Sequence, residues 1–111
     1  MAGSTEREAE CLYLTTRGRK SGLPREIEIW FTTRNGRYYV IAEHLTSQWV
    51  QNLRADPRTQ VRLGSRKILA HARVLSAKAE PDLYHEIQDR SREKYGWGEG
   101  LPVELVPEAL G

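Results

Sequence analysis

Apolar residues recur at every second position along most of this chain, the spacing of half-buried strands. Helical spacing of three and four residues appears in only two stretches. The first strand is predicted over Glu10–Thr16, with Leu12 and Leu14 on one face and Cys11, Tyr13 and Thr15 on the other. The second covers Arg25–Thr33, where Ile27, Ile29 and Phe31 alternate with Glu26, Glu28 and Trp30. Asn35-Gly36 is a strong hairpin signal, because both residues tolerate positive φ. It leads into a third strand, Arg37–Ala42. After a short loop, Glu43–Thr46, a helix begins that Thr46 or Ser47 can cap. Trp49, Val50 and Leu53 share its inner face, and Pro57 stops it. Strands at Arg58–Leu63 and Lys67–Ser76 flank a Gly64-Ser65 turn. Pro81 opens a second helix, striped by Leu83, Tyr84, Ile87, Ser91 and Tyr95, and Gly96 is placed to end it in a left-handed cap. A last strand follows at Pro102–Val106. Six short strands in hairpin-like succession, with two helices, describe a mostly antiparallel, closed or partly closed barrel. Residues 10–111 form its single domain, and residues 1–9 form a tail or one helical turn.

Composition narrows this little. The 111 residues suit one core, and 29% charged with 39% hydrophobic is ordinary for a globular chain. A net charge of +2 is too small to argue for nucleic acid, although a basic loop and the aromatics Tyr38 and Tyr39, if exposed, would be the features to stack bases. Cys11 is the only cysteine, so there is no intrachain disulfide, and the residue reads as a small core side chain. The N-terminal MAGSTEREAE is not a secretory signal and no apolar run matches a membrane span, so a cytoplasmic location is expected.

The basic excess is local. Between Arg17 and Arg25 lie four basic residues and no acid: Arg17, Arg19, Lys20 and Arg25, with Gly18, Gly22, Pro24 and Ser21 between them. Glycines let the chain turn tightly and expose its N–H groups. Those groups, a hydroxyl and guanidinium forks together suit a phosphate or carboxylate, and the plainer reading is a solvated basic hairpin. No metal signature is present, since His44, His71 and His85 are scattered without a partner at ligand spacing. His71 reads as a half-buried strand residue. Glu26 and Glu28 share a strand face, which reads as exposed acids before it reads as a paired-carboxylate site.

The run Leu14-Thr15-Thr16-x-Gly18-Arg19-Lys20-Ser21-Gly22-x-Pro24-Arg25, followed by Trp49-x-x-Asn52-Leu53-x-x-x-Pro57, resembles the deazaflavin-dependent nitroreductase and quinone reductase family. The resemblance is good over Cys11–Leu75 and looser beyond. It implies a six-stranded antiparallel split β-barrel of the FMN-binding type. It implies an oxidoreductase that passes a hydride from reduced coenzyme F-420, or with FMN as second choice, to a quinone, nitroaromatic or similar conjugated acceptor. The cofactor carries the hydride, so binders rather than acids and bases are to be sought. By resemblance Arg19, Lys20, Ser21 and Arg25 hold its phosphate, and Trp30 with the backbone of Ala42, Glu43 and His44 lies near the ring. Trp49 and Asn52 of the helix motif also belong to the cofactor site, Trp49 with one ring face packed and one edge near the cofactor, and Asn52 fixing the neighbouring loop. Glu28, Tyr95 and Trp97 fall near the substrate. Departures are a shorter loop after the third strand, an acid at Glu28 where relatives carry a small or apolar residue, and a truncated aromatic C-terminus. Two other readings stay open: a non-catalytic barrel holding FMN, haem, a tetrapyrrole or a lipid, and a small nucleic-acid-binding barrel. A homodimer is compatible with either barrel reading.

Overall fold

A computed structural model describes residues 10–108; the expected tail at 1–9 lies outside them. The alternating pattern becomes seven strands: β1 (Cys11–Arg17), β2 (Pro24–Trp30), β3 (Thr32–Arg34), β4 (Arg37–Ala42), β5 (Arg58–Leu63), β6 (Arg66–Val74) and β7 (Leu101–Pro107). Helix α1 (Gln48–Ala55) lies between β4 and β5, and α2 (Pro81–Tyr95) between β6 and β7. All neighbours are antiparallel, in the order β2-β1-β5-β6-β7-β4-β3. Strand ends fall within a residue or two of expectation. Asn35 and Gly36 take positive φ at the hairpin, and Gly96 caps α2 in the left-handed region.

The seventh strand has a specific origin. Phe31 alone separates β2 from β3, yet these two lie at opposite edges of the sheet. One run of chain therefore crosses from edge to edge, and the curled sheet meets itself through a covalent bond. The expected strand Arg25–Thr33 is continuous chain that changes partner, pairing Trp30 with Cys11 on one side of Phe31 and Thr32 with Tyr39 on the other. At the changeover side chains supply Phe31's hydrogen bonds. Its N–H donates to the Tyr95 hydroxyl at 3.0 Å, and its carbonyl accepts from Lys94 Nζ at 2.9 Å. The Tyr95 hydroxyl has one proton, for the Phe31 carbonyl at 2.8 Å or the Glu10 carbonyl at 2.5 Å. Burial above all pushes this phenol up to about 12, so it keeps that proton. Tyr95→Phe removes the acceptor from the Phe31 N–H and should cost about 1–3 kcal/mol in urea unfolding. A loss below about 0.5 kcal/mol would mean the crossover does not depend on it.

The barrel interior holds Leu12, Leu14, Phe31, Tyr38, Val40, Val61, Leu63, Val103 and Leu105, with Leu53 of α1 among them. Outside, Tyr39, Ile41, Leu75 and Ile87 pack together where α2 meets the sheet. Tyr38 and Tyr39 are therefore both buried rather than exposed, because β4 has a core on each face, and neither can stack a base. His71 is exposed on β6 rather than half-buried, since that face of β6 is uncovered. Ser47 is the residue before α1, but its hydroxyl donates back to the His44 carbonyl at 2.8 Å and makes no capping bond to the helix. Among the described residues no helix is long and apolar enough to cross a membrane.

Among the described residues one carboxylate is deeply buried. Glu104 is 1% exposed and accepts from Tyr39 Oη at 2.8 Å, Arg73 Nε at 3.0 Å and Arg37 Nη1 at 3.2 Å. Burial pushes its pKa upward, but the Arg73, Tyr39 and Arg37 hydrogen bonds and the Arg73 charge outweigh it and hold the carboxyl below its usual range.

Candidate functional site

The basic turn joins β1 to β2 and is closed by its own backbone. Gly18 N–H donates to the Leu23 carbonyl at 2.8 Å, and Gly22 N–H donates to the Gly18 carbonyl at 2.7 Å. Gly22 sits at φ +74°, a conformation that strains any other residue. A Cβ on Gly18 would lie 2.7 Å from Ser21 Oγ and 3.2 Å from the Leu23 carbonyl oxygen, so a larger residue there would displace the Ser21 hydroxyl. Ser21 Oγ accepts the Leu23 N–H at 3.1 Å, which leaves its own proton to donate.

Asn52 of α1 anchors the turn to the helix. Its Oδ1 accepts from Arg19 N–H at 3.2 Å and from Arg19 Nη1 at 2.9 Å, and its Nδ2 donates to Thr16 Oγ1 at 3.2 Å. Arg19 Nη1 also reaches the Gln48 carbonyl at 3.5 Å. Arg19 thus gives its main-chain N–H and its Nη1 to holding the turn. Arg17 faces Asp56 and the Gly22 carbonyl instead. Lys20 and Arg25 remain, and neither has a hydrogen-bond or ion-pair partner among the described residues. They line a cleft of about 730 Å³ with Arg19, Ser21, Glu26, Ile27, Trp49 and Asn52. Three cations face one acid there. Asn52→Ala should cost about 1–3 kcal/mol and loosen the turn. Asn52→Asp should keep the Arg19 anchor, because the Thr16 hydroxyl can donate to it, while adding a negative charge under the cleft. Thermal melts and anion titrations of the pair separate the two effects: Ala lowers Tm more, and Asp lowers anion affinity at nearly unchanged Tm. Equal behaviour of the two variants would refute the assignment.

A second cleft, about 780 Å³, opens along β2 where the sheet splits. It is lined by Ile27, Glu28, Ile29, Trp30 and Phe31 on the β2 side, Tyr39, Ile41, Glu43 and His44 on and after β4, and Trp49 and Trp97. Ile27 and Trp49 line both clefts, so the aromatic slot runs into the cationic one. As an edge strand, β2 turns every second N–H and C=O away from β1. Trp30 is held flat against Tyr95, with ring centroids 4.5 Å apart and planes 2° from parallel. Trp97 is steadied through its carbonyl, which accepts from Ser91 Oγ at 2.5 Å. Ser47 N–H and Gln51 Nε2 tie down the His44–Leu45 loop.

The expected site residues therefore divide. Lys20, Ser21, Arg25, Asn52 and Arg19 gather in the cationic cleft, and Glu28, Trp30, Glu43, His44 and Trp97 gather in the aromatic one, with Trp49 between. Tyr95 does not line the slot, because it lies against Trp30 and its hydroxyl serves the Phe31 crossover. The Ala42 side chain is buried with Val50 and Leu101, so only its backbone is left to face the ring. Cys11 lines the slot, half-buried rather than in the core, and burial with the neighbouring Glu28 pushes its thiol up. Sequence reasoning missed the Tyr13 hydroxyl donating to Glu28 at 3.1 Å, although the β1–β2 register places those residues opposite each other. It also missed Ile27 as the joint between the clefts. Among the described residues no three of His, Cys, Asp and Glu gather to hold a metal.

Comparison with known proteins adds to this geometry. The sequence model of the F420H(2)-dependent quinone reductase family matches residues 2–105. A solved F420-H2 dependent reductase superposes with a TM-score of 0.69 at 23% identity, covering 87% of this chain and 93% of that one. The heme storage protein HutZ from Vibrio cholerae gives 0.75 at 17% identity, covering 95% and 86%. An FAD-binding protein from Mesorhizobium loti gives 0.64 at 13% identity, covering 94% and 85%. At these identities the structural likenesses speak for the fold alone.

Proposed function

We infer, from the premise that this chain belongs to the F420H(2)-dependent quinone reductase family, that it is an oxidoreductase using a reduced deazaflavin to reduce a quinone, nitroaromatic or similar conjugated acceptor. The observation that carries this is the junction at Ile27 and Trp49, which sets an aromatic slot beside unpaired cations. That arrangement fits a ligand with a flat ring and a phosphate-bearing arm. Lys20, Arg25 and the Ser21 hydroxyl would hold the phosphate, with the turn kept open for it by Asn52 and Arg19. The free edge of β2 would meet the polar rim of the ring, and Trp30, Trp49 and Trp97 would cover its apolar surface and exclude water. The bound cofactor supplies the hydride, two electrons with one proton. The chain's own part is to orient ring and acceptor face to face and to keep the ring out of bulk water.

A barrel that stores a cofactor without turnover is the competing reading. What favours it is His44, an exposed imidazole on the slot wall able to ligate a haem iron. Glu28 and Glu43 count against haem, whose propionates they would repel. The two readings part in one experiment: titrate the protein with coenzyme F-420, FMN and haem by tryptophan fluorescence, then supply reduced coenzyme F-420 and a naphthoquinone anaerobically and follow reoxidation. Saturable deazaflavin binding with turnover supports the reductase. Haem or FMN binding, with no reoxidation above the protein-free rate, would replace it by the storage reading.

A further inference from the structure

The aromatic slot carries an electrostatic bias opposite to that of the cleft it joins. Two carboxylates line it, Glu28 and Glu43, and no lysine or arginine does. Six of the described acids, Glu26, Asp56, Glu80, Glu86, Asp89 and Glu104, each pair with an arginine, whereas others such as Asp82, Glu93 and Glu99 stand alone at the surface. The slot's two acids pair with no arginine. Glu28 accepts one hydrogen bond, from the neutral Tyr13 hydroxyl, and Glu43 has no partner among the described residues. Two cations lie near that side: Lys94 is turned to the Phe31 carbonyl and stacks over the Phe31 ring at 4.1 Å, and Arg62 lies over the Tyr13 ring at 4.1 Å and pairs with Glu26. The other walls include the His44 imidazole, aliphatic side chains and the indoles of Trp30, Trp49 and Trp97, whose π faces attract positive charge. Carboxylates and indoles reinforce each other in favouring a cation and in rejecting an anion.

We propose that the slot selects flat aromatic acceptors that carry a positive charge, through Glu28 and Glu43, and discriminates against anionic ones. This rests on the reductase reading only for the word acceptor, because the selectivity belongs to the protein without cofactor as much as to the loaded enzyme. The redox step is unchanged by the charged arm. A quinone takes a hydride from the reduced deazaflavin and a proton from solvent to become the hydroquinone, while the arm keeps its charge. The carboxylates act on binding rather than on the transferred electrons, so the preference should reside in KM.

Two measurements test this separately. In the first, without cofactor, the slot's own tryptophans report titrations with N-methylquinolinium, neutral quinoline and a quinoline carboxylate. The cation should bind about tenfold more tightly than the anion, and the Glu28→Gln, Glu43→Gln double variant should lose most of that difference while melting at a similar temperature. In the second, the protein saturated with reduced coenzyme F-420 is given two naphthoquinones that differ only in a trimethylammonium or a sulfonate arm. The trimethylammonium compound should show a kcat/KM about tenfold higher, through KM, and the double variant should close the gap. Equal binding of cation and anion, or a preference that survives in the double variant, overturns the proposal. A cation preference in the titration with no reoxidation by either quinone supports it and removes the reductase reading instead. Turnover of both quinones at equal kcat/KM keeps that reading and removes this one.

Discussion

Alanine at both Lys20 and Arg25 should weaken deazaflavin binding about a hundredfold and leave the stability of the fold unchanged. A hydrogen bond from a cation to an anion contributes about 1.5–3 kcal/mol, and loss of two at a solvent-exposed cleft corresponds to roughly 3 kcal/mol. Stability should hold because neither side chain makes a hydrogen bond or ion pair within the described residues. Arg19→Ala should behave differently, lowering Tm as well as affinity, because its guanidinium is fixed by Asn52 and Gln48. Salt should weaken binding to the native chain more than to the double variant, since the lost contacts are ionic. The check is a fluorescence titration at two ionic strengths beside a thermal melt. Native-like affinity in the double variant would move the anion site elsewhere.

The second large effect is on stability. Glu104→Ala should cost about 3 kcal/mol, the lower end of the range for removing one partner of a buried ionic cluster. The lower end applies because the Arg37 and Arg73 side chains are each 46% exposed and can turn to water, whereas the Tyr39 hydroxyl would be left buried. For a fold of this size that is roughly a 12 °C fall in Tm or more. Glu104→Gln should cost less, because it keeps an acceptor for Tyr39. The pH dependence has a definite sign. Glu104 is depressed in the folded state, so its contribution is present above the unfolded carboxyl value of 4.5 and is lost as pH falls below it through the folded value. Urea unfolding at pH 7 and pH 3.5 should show the native chain losing more stability on acidification than Glu104→Ala does. Equal losses would show that the cluster does not govern the acid limb.

Most of this architecture was legible because strand periodicity survives one-sided burial. Leu12 and Leu14, or Ile68 and Ala70, alternate cleanly because one face of each strand meets the interior. Gly96 and Asn35-Gly36 were legible for a different reason, since their positive φ is a local demand that few residues meet. Tyr38 and Tyr39 defeated the same logic. A strand buried on both faces has no polar alternate, and nothing local tells that α2 will cover the outer side. The change of partner at Phe31 was hidden too, because the residue keeps its place in the alternation and only its hydrogen-bond neighbours change. In the site, the charges and glycines of the turn were visible. What the sequence could not show was which cations are already engaged, a matter of where α1 brings Asn52. The bonds of Tyr95 to the Phe31 crossover were hidden because an aromatic at the end of an apolar stripe carries no sign of what its hydroxyl will reach.

The Phe31 crossover also sets what length changes the chain can accept. A seam made of ladder hydrogen bonds can slip by two residues and re-form, but a seam made of one peptide unit has no alternative register. Deleting a single residue between Ile29 and Thr33 would turn the side chains of β2 inside out relative to those of β3 and carry the Glu28 and Trp30 wall into the barrel. Insertions at the Asn35-Gly36 turn, a few residues downstream, would only lengthen a loop. Natural or engineered length variation in this fold should therefore cluster at the hairpin and be absent from the crossover, a pattern that a deletion library scored for soluble expression would reveal.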